Sequence, residues 1–494
     1  DRKTRIAATF IILFYIVGYI GINLITLGRT LHTLLGWEVM TGAIVTAVAV
    51  ALYVYIGGQT AVIMTDLAQG LILLIAGLGL FIAGIYHLGG FEKFWSLLPS
   101  EHKYAFSDFN APPNFSFVGI YVQDGLANTG ALMLMHQGFI MRFLSLKSVK
   151  DSRRMMVCWI LVLAPLAAVA TSCGGWLARA LVNNGELTTN ASDSFVKAAH
   201  FLCAPGIFGF VLAALTAALM STADSLINAV SAIFVNDIWR PYVKPRENDS
   251  HYLLVARISS LGAAGLGLAL VPIFMKDTIY GAHSMFTAAV TPPVLIAILL
   301  GITWKRYTPM AAFVTIVGGA LLIGLSFIFS DTLVGPFDFG MGPDSYKFMR
   351  ALYGLLVAGL LGIFVTFFTK PRPEAELKGL VAGTQRDAMR QFKGGRPNRR
   401  PGKKVQLRTK IDQSLSGTDT VVLSQSALDK MAAEPGDLLY ASHIRWWYGG
   451  LRSVHVKAGP PAASKESELL LISPEDAATA HFTEAQQVIV EKIM

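Results

Sequence analysis

Cysteine is nearly missing from this sequence: Cys158, Cys173 and Cys203 are the whole set, and they lie in or beside apolar runs without metal-ligand spacing. That excludes a disulfide framework and makes them packing residues. Charge is scarce too, at 15% of 494 residues, well below the share an ordinary soluble chain carries. The chain shows no phosphate loop, nucleophile elbow, HExxH helix or paired CxxC motif, and with them goes the enzyme reading. There is also no initiator Met and no signal peptide. The chain opens at Asp1 with DRKTR and enters an apolar run at once, which reads as a fragment.

What is present is apolar. Hydrophobic residues make up 53% of the chain and the mean hydropathy is +0.52, so the expected class is an all-α polytopic membrane protein. The net charge of +9 is read by location, because Lys and Arg collect in cytoplasmic loops, and nucleic-acid binding is not needed to explain it. Ten apolar segments are expected, at 6–34, 38–57, 60–87, 117–140, 155–182, 207–236, 252–275, 282–304, 309–329 and 349–369. Arg142, Lys147, Lys150, Arg153 and Arg154 fall between the fourth and fifth, Arg240, Lys244, Arg246 and Arg257 around the next alternate join, then Lys305 and Arg306, then Lys370 and Arg372. All lie on one side if the chain alternates. That side is assigned to the cytoplasm of a multi-pass cell-membrane protein, and both termini fall there.

The stretch 207–239 is apolar enough to span a bilayer, yet its middle carries Ser221, Thr222, Asp224 and Ser225. A carboxylate facing lipid costs several kcal/mol, so Asp224 is expected to point into protein or water. On a helix Ser221, Asp224 and Ser225 share a face, with Ala218 one turn earlier. Such oxygens suit a hard cation such as sodium. The bland alternative has the hydroxyls bonding back to the i−4 carbonyls and Asp224 capping a broken helix.

From 371 the composition changes. Residues 371–410 are basic and rich in Gly and Pro, and read either as a contact with anionic lipid or as a solvated linker. Residues 411–494 read as a small cytoplasmic α+β domain with strands at 420–424, 437–443, 453–457 and 468–473 and helices at 473–480 and 482–494. Its aromatic run Arg445-Trp446-Trp447-Tyr448 is read as core packing before it is read as a binding loop.

ALYVYIGGQTAVIMTDLAQG at 51–70 resembles the signature of the sodium/solute symporter family, with Gly57, Gly58, Thr65 and Asp66 as its specific elements. HQGFIMRFLSLKSVKDSRR at 136–154 and AALMSTADSLINAVSAIFVNDIW at 217–239 resemble two further family blocks in the same order. The resemblance covers 1–370 and implies the leucine-transporter fold, a bundle of inverted helical repeats around a mid-membrane site. Aligned on the signature, Ile6 begins the third core helix, which implies that the earlier helices come from upstream sequence or from another polypeptide. The family's sodium site falls on the Ala218 carbonyl and the Ser221 and Thr222 hydroxyls, and a second cation or proton site on Asp224 and Ser225. Asp66 is expected to cap its helix or to line the ion's exit path. The positions that hold a sugar in sugar-transporting relatives fall on Thr129, Leu132, Met133 and Ser284, which argues against a hexose. Asn128, His136, Gln137 and His283 are the remaining polar candidates for a solute pocket.

Two functions follow from these expectations. In the first, sodium, as coupling ion and with no other cofactor, drives import of a small polar solute by alternating access. The second is a transporter-derived sensor or scaffold signalling through 411–494.

Overall fold

A computed structural model describes residues 1–103, 117–190, 193–276, 278–396, 400, 402–462 and 468–493, with the side chains of Gln59, Thr60, Phe117, Gly138, Met141, Trp446 and Gly449 left aside. The chain divides into two compact units. One takes 1–140, 158–301 and 306–371; the other takes 141–157, 302–305 and 372–494.

Among the described residues, nine helices are long and apolar enough to span a bilayer. They are α1 (Arg2–Leu35), α2 (Val39–Gly58), α3 (Ala61–His87), α6 (Val149–Asn183), α7 (Pro205–Val243), α8 (Asp249–Phe274), α9 (Ile279–Thr303), α10 (Pro309–Ile328) and α11 (Pro343–Phe368). Their ends carry local signals. Asp1 accepts the Thr4 amide at 2.8 Å, Asn248 accepts that of His251 at 2.8 Å, and Gly36 closes α1 at φ 71°. Phe10 and Phe14 on α1 and Phe364 and Phe368 on α11 stay exposed, as lipid-facing side chains must. Inward, Tyr15, Ile16, Ile20 and Leu24 pack with Leu226 and Ile227 of α7. α1 crosses α8 closely because a side chain at Gly267 would stand 2.3 Å from Ile20 Cγ2.

One break falls where hydropathy already separates 38–57 from 60–87, and a second falls inside a span that hydropathy reads as continuous. Gly58 has φ 58° and ψ −154°, a backbone that L side chains rarely adopt, and it separates α2 from α3. The expected span 117–140 corrects to a chain of short pieces: Phe117–Ile120, a π-helical turn over Tyr121–Asn128, α4 (Thr129–Met135), and α5 (Gln137–Leu144) beyond an extended His136 at ψ 109°. The polar side chains of this stretch hold the break in place: Thr129 Oγ1 donates to the Asp124 carbonyl at 2.7 Å, and the Gln123 amide donates to Thr287 of α9.

The second unit contains a closed six-stranded barrel in the order β1-β5-β2-β4-β3-β6. Its strands are β1 (Val405–Ile411), β2 (Thr420–Leu423), β3 (Leu438–His443), β4 (Ser453–Ala458), β5 (Leu469–Ile472) and β6 (Gln487–Lys492). Each half is a ββαβ unit, and exchanging β1–β3 for β4–β6 carries the parallel pair β1·β5 onto β4·β2. The two short helices, Gln425–Met431 and Pro474–Thr479, are capped alike by Ser424 and Ser473. Ala432 and His481, eight residues beyond those serines, both adopt φ near 50°.

The domain limits of the sequence reading shift accordingly. β1, all but Ile411, lies inside the stretch read as a linker. So does α12 (Gln385–Lys393), whose Lys393 ammonium is buried against Glu434 at 2.6 Å and Asp437 at 3.0 Å. The helix expected at 482–494 is β6, where Val488, Val490 and Lys492 alternate inward and pair between β1 and β3. Within this unit Lys147 donates to Glu491 at 2.8 Å and its carbonyl meets His455 Nε2 at 2.8 Å. Desolvation alone would lower the Lys147 pKa, but the Glu491 carboxylate outweighs it and the net shift is upward.

Candidate functional site

Asp66 stands in the second turn of α3, past the Gly58 break, and faces α7. Ser221 and Ser225 are one turn apart on α7 and both donate to it, Ser221 to Oδ1 and Ser225 to Oδ2 at 3.2 Å. Beside them Asp224 is fully buried and accepts from Tyr53 of α2 at 2.5 Å. Two carboxylates and three hydroxyls from α2, α3 and α7 thus gather at one level of the bundle. Oxygen donors of this kind, neutral hydroxyls around single carboxylates, suit a hard monovalent cation. Among the described residues no group of three or more His, Cys, Asp or Glu gathers, so the donor set is not that of a transition metal.

The sequence-derived ion ligands separate into two faces. Ser221 and Ser225 turn to Asp66. Thr222 is exposed and donates back to the Ala218 carbonyl at 3.4 Å, the local bond the bland reading expects. Asp224 sits mid-helix and points into the protein, so the capping role of the bland alternative gives way to a tertiary bond with Tyr53. Asp66 likewise receives hydroxyls from α7, which places it at the cluster. Thr65 only bonds back within α3, to Ala61 at 2.9 Å, and Gly57 and Gly58 form the break.

A second polar cluster joins α1, the π-helical turn and α9. Asp124 Oδ1 accepts from Asn128 Nδ2 at 2.8 Å and lies 3.3 Å from His283 Nε2. Tyr15 donates to Asn128 Oδ1 at 3.0 Å, and Asn128 reaches the Tyr19 hydroxyl at 3.3 Å. Tyr19 packs edge-on to the His283 ring and Tyr280 stacks on it. Of the solute-pocket candidates, Asn128 and His283 enter this cluster. Thr129 flanks it, exposed, while Ser284 is buried and donates to the Tyr280 carbonyl at 2.7 Å. Leu132 and Met133 are half-buried, and His136 is buried with its ring against Phe139.

Asp124 and Tyr53 are the groups that sequence reasoning missed. The signal for Asp124 was present, since a carboxylate within an apolar segment marks a functional position by itself. Tyr53 lies inside the 51–70 signature but is one aromatic among many in the spans.

Residues 1–319 match the model of the Sodium:solute symporter family. Among curated proteins the chain is similar to the High-affinity proline transporter PutP of Bacillus subtilis (strain 168), 27% identical over 65% of this chain and 67% of that one. It is similar too to the Sodium/proline symporter of Staphylococcus aureus, 28% identical over 65% of this chain and 62% of the relative, and to the Sodium/glucose cotransporter of Vibrio parahaemolyticus, 26% identical over 64% and 63%. The chain thus spans about two thirds of the length of these relatives. Among solved structures, a Na+-coupled sialic acid symporter in its substrate-bound outward-open state superposes with a TM-score of 0.61 at 18% identity, covering 75% of each chain, which shows the shared leucine-transporter-like fold.

Proposed function

This chain belongs to the sodium:solute symporter family, and from that premise we propose that it carries a small polar solute across the membrane with sodium bound where α3 meets α7. It is a multi-pass membrane transporter and not an enzyme. The sensor or scaffold alternative draws no support from the relatives, which are transporters.

The single observation that carries the ion assignment is the convergence of Ser221 and Ser225 on Asp66. Sodium displaces the hydroxyl protons from the carboxylate and takes its place among the same oxygens, so α3 and α7 are held by the ion rather than by direct hydrogen bonds. The conformation in which those oxygens lie close is then favoured by the ion's preference for it over the other state. Inward passage of each charge supplies about 2.3 kcal/mol per 100 mV of membrane potential, which no covalent step need supplement. Ala218 O with Thr222 forms the second oxygen pair, one face away, and Asp224 with Tyr53 supplies a further carboxylate for a second cation or a proton.

The solute side is assigned to the cluster at the broken stretch, where backbone and polar side chains face one another across α1, the π-helical turn and α9. Thr129, Leu132, Met133 and Ser284 offer neither the amides nor the stacking ring a hexose requires. A small solute such as the proline of the named relatives fits better. The basic loops support a cytoplasmic position for 141–157 and the barrel.

Uptake of proline, glucose and sialic acid into proteoliposomes, with a sodium gradient and with potassium replacing it, tests the proposal. Sodium-driven entry of one of them, lost in Ser221→Ala combined with Asp66→Asn, is expected. Uptake indifferent to sodium and to that pair of changes refutes it.

A further inference from the structure

The loop between β3 and β4 exposes what a protein core would bury. Trp447 is 61% exposed, Leu451 53% and Ile444 37%, so the core-packing expectation for this run fails at Trp447. Two arginines lie over the rings: Arg445 stands 5.6 Å from the Trp447 centroid, and Arg452 is 4.7 Å from that of Tyr448. From Leu438 through Lys465 the sequence contains no Asp or Glu, so no carboxylate of this segment offsets its cationic charge. Burial, with repulsion from Arg452 and Arg445 added, holds the neighbouring His443 imidazole below its ordinary range.

The loop also has a fixed neighbour within its own unit. A side chain at Gly450 would come 4.0 Å from the Ser145 carbonyl, and Lys147 is tied to β6 and β4 through Glu491 and His455. Two residues further on, Val149 opens a membrane span, and it and Leu144 are 71% and 76% exposed. Indole rings with arginines, beside the point where a chain enters a bilayer, are the residues that populate the headgroup layer.

We propose that Ile444–Arg452 is a membrane-interface anchor: Arg445 and Arg452 take the phosphates of anionic phospholipid, and Trp447 and Leu451 seat among the headgroups. The contact is independent of the transport assignment. It uses the bilayer that the chain already inhabits, so the ordering cost of capture is small and two arginines suffice where a wholly soluble domain needs a larger polybasic patch.

The test uses the entire chain in nanodiscs, with either phosphatidylcholine alone or phosphatidylcholine plus phosphatidylglycerol, each carrying brominated acyl chains. Subtracting the emission of Trp447→Phe isolates Trp447. Its emission should be quenched by brominated lipid in the anionic discs and shielded from aqueous iodide. Arg445→Glu with Arg452→Glu should reduce that quenching severalfold, since each basic residue near an anionic surface contributes roughly a fivefold factor. Quenching by iodide and not by lipid overturns the proposal. Quenching by neither, which marks a protein partner or internal packing as the cover, overturns it equally. Lipid quenching that is the same in neutral discs removes the anionic headgroup from it.

Discussion

Two carboxylate sites in this molecule are built on opposite plans. In the barrel, Asp437 is fully buried between two ammonium groups, Lys393 at 3.0 Å and Lys492 at 2.8 Å. In the membrane unit, Asp66 accepts from the hydroxyls of Ser221 and Ser225, and Asp224 from that of Tyr53. Ammonium groups have no lone pair to offer an ion, so the first arrangement is closed and serves the fold. Hydroxyl oxygens keep lone pairs that a sodium ion can take, so the second remains open to a ligand. Chemistry of the partner, more than depth of burial, separates a structural carboxylate from one that binds.

That contrast breaks or sharpens in four places. The largest effect is expected at Asp437→Ala, which leaves the buried Lys492 without a carboxylate and Lys393 with Glu434 alone, and should cost the barrel about 3–5 kcal/mol, read from denaturant unfolding, with sodium affinity untouched. Asp66→Asn should do the reverse: sodium affinity falls on the order of a hundredfold while the unfolding midpoint hardly moves, since affinity in such sites follows ligand charge. A comparable loss of stability in both variants would erase the distinction. Gly58→Ala comes next. Its side chain meets open space, so the expected penalty of about 1–3 kcal/mol is backbone strain alone, visible as a lower melting temperature and slower sodium-driven uptake.

The smallest effect is in pH. Desolvation lowers the Lys393 pKa, but Glu434 and Asp437 outweigh it and leave it above its ordinary 10.5. A group raised on folding contributes stability that is fully present below its unfolded value and is lost as pH climbs through the folded one. Barrel stability should therefore decline only above about pH 10.5, and Lys393→Met should flatten that decline.

Much of this was legible beforehand, for reasons that differ by site. The nine long spans follow from apolar runs that no soluble fold tolerates, and the hydroxyls of α7 stand out because polar groups are costly there. The pairing of Ser221 with Asp66 was not legible, because 155 residues separate them and helical periodicity relates only neighbours on one helix. The break at Tyr121–His136 escaped because hydropathy averaged over a segment hides a few polar residues among leucines and methionines. At Gln487–Lys492 the preceding Thr-Glu pair imitates a helix cap, while the alternation of Val488 and Val490 with outward residues is the true signal. The repeat within the barrel is written in the duplicated serine caps, Ser424 and Ser473, a weak signal over so short a period.

The most direct test is equilibrium binding of radioactive sodium to the purified chain, in native form, as Asp66→Asn and as Ser221→Ala with Ser225→Ala. Saturable binding in the native chain, lost in the first variant and weakened at least tenfold in the second, is the predicted result. Sodium bound with equal affinity by all three would contradict the placement of the ion between α3 and α7.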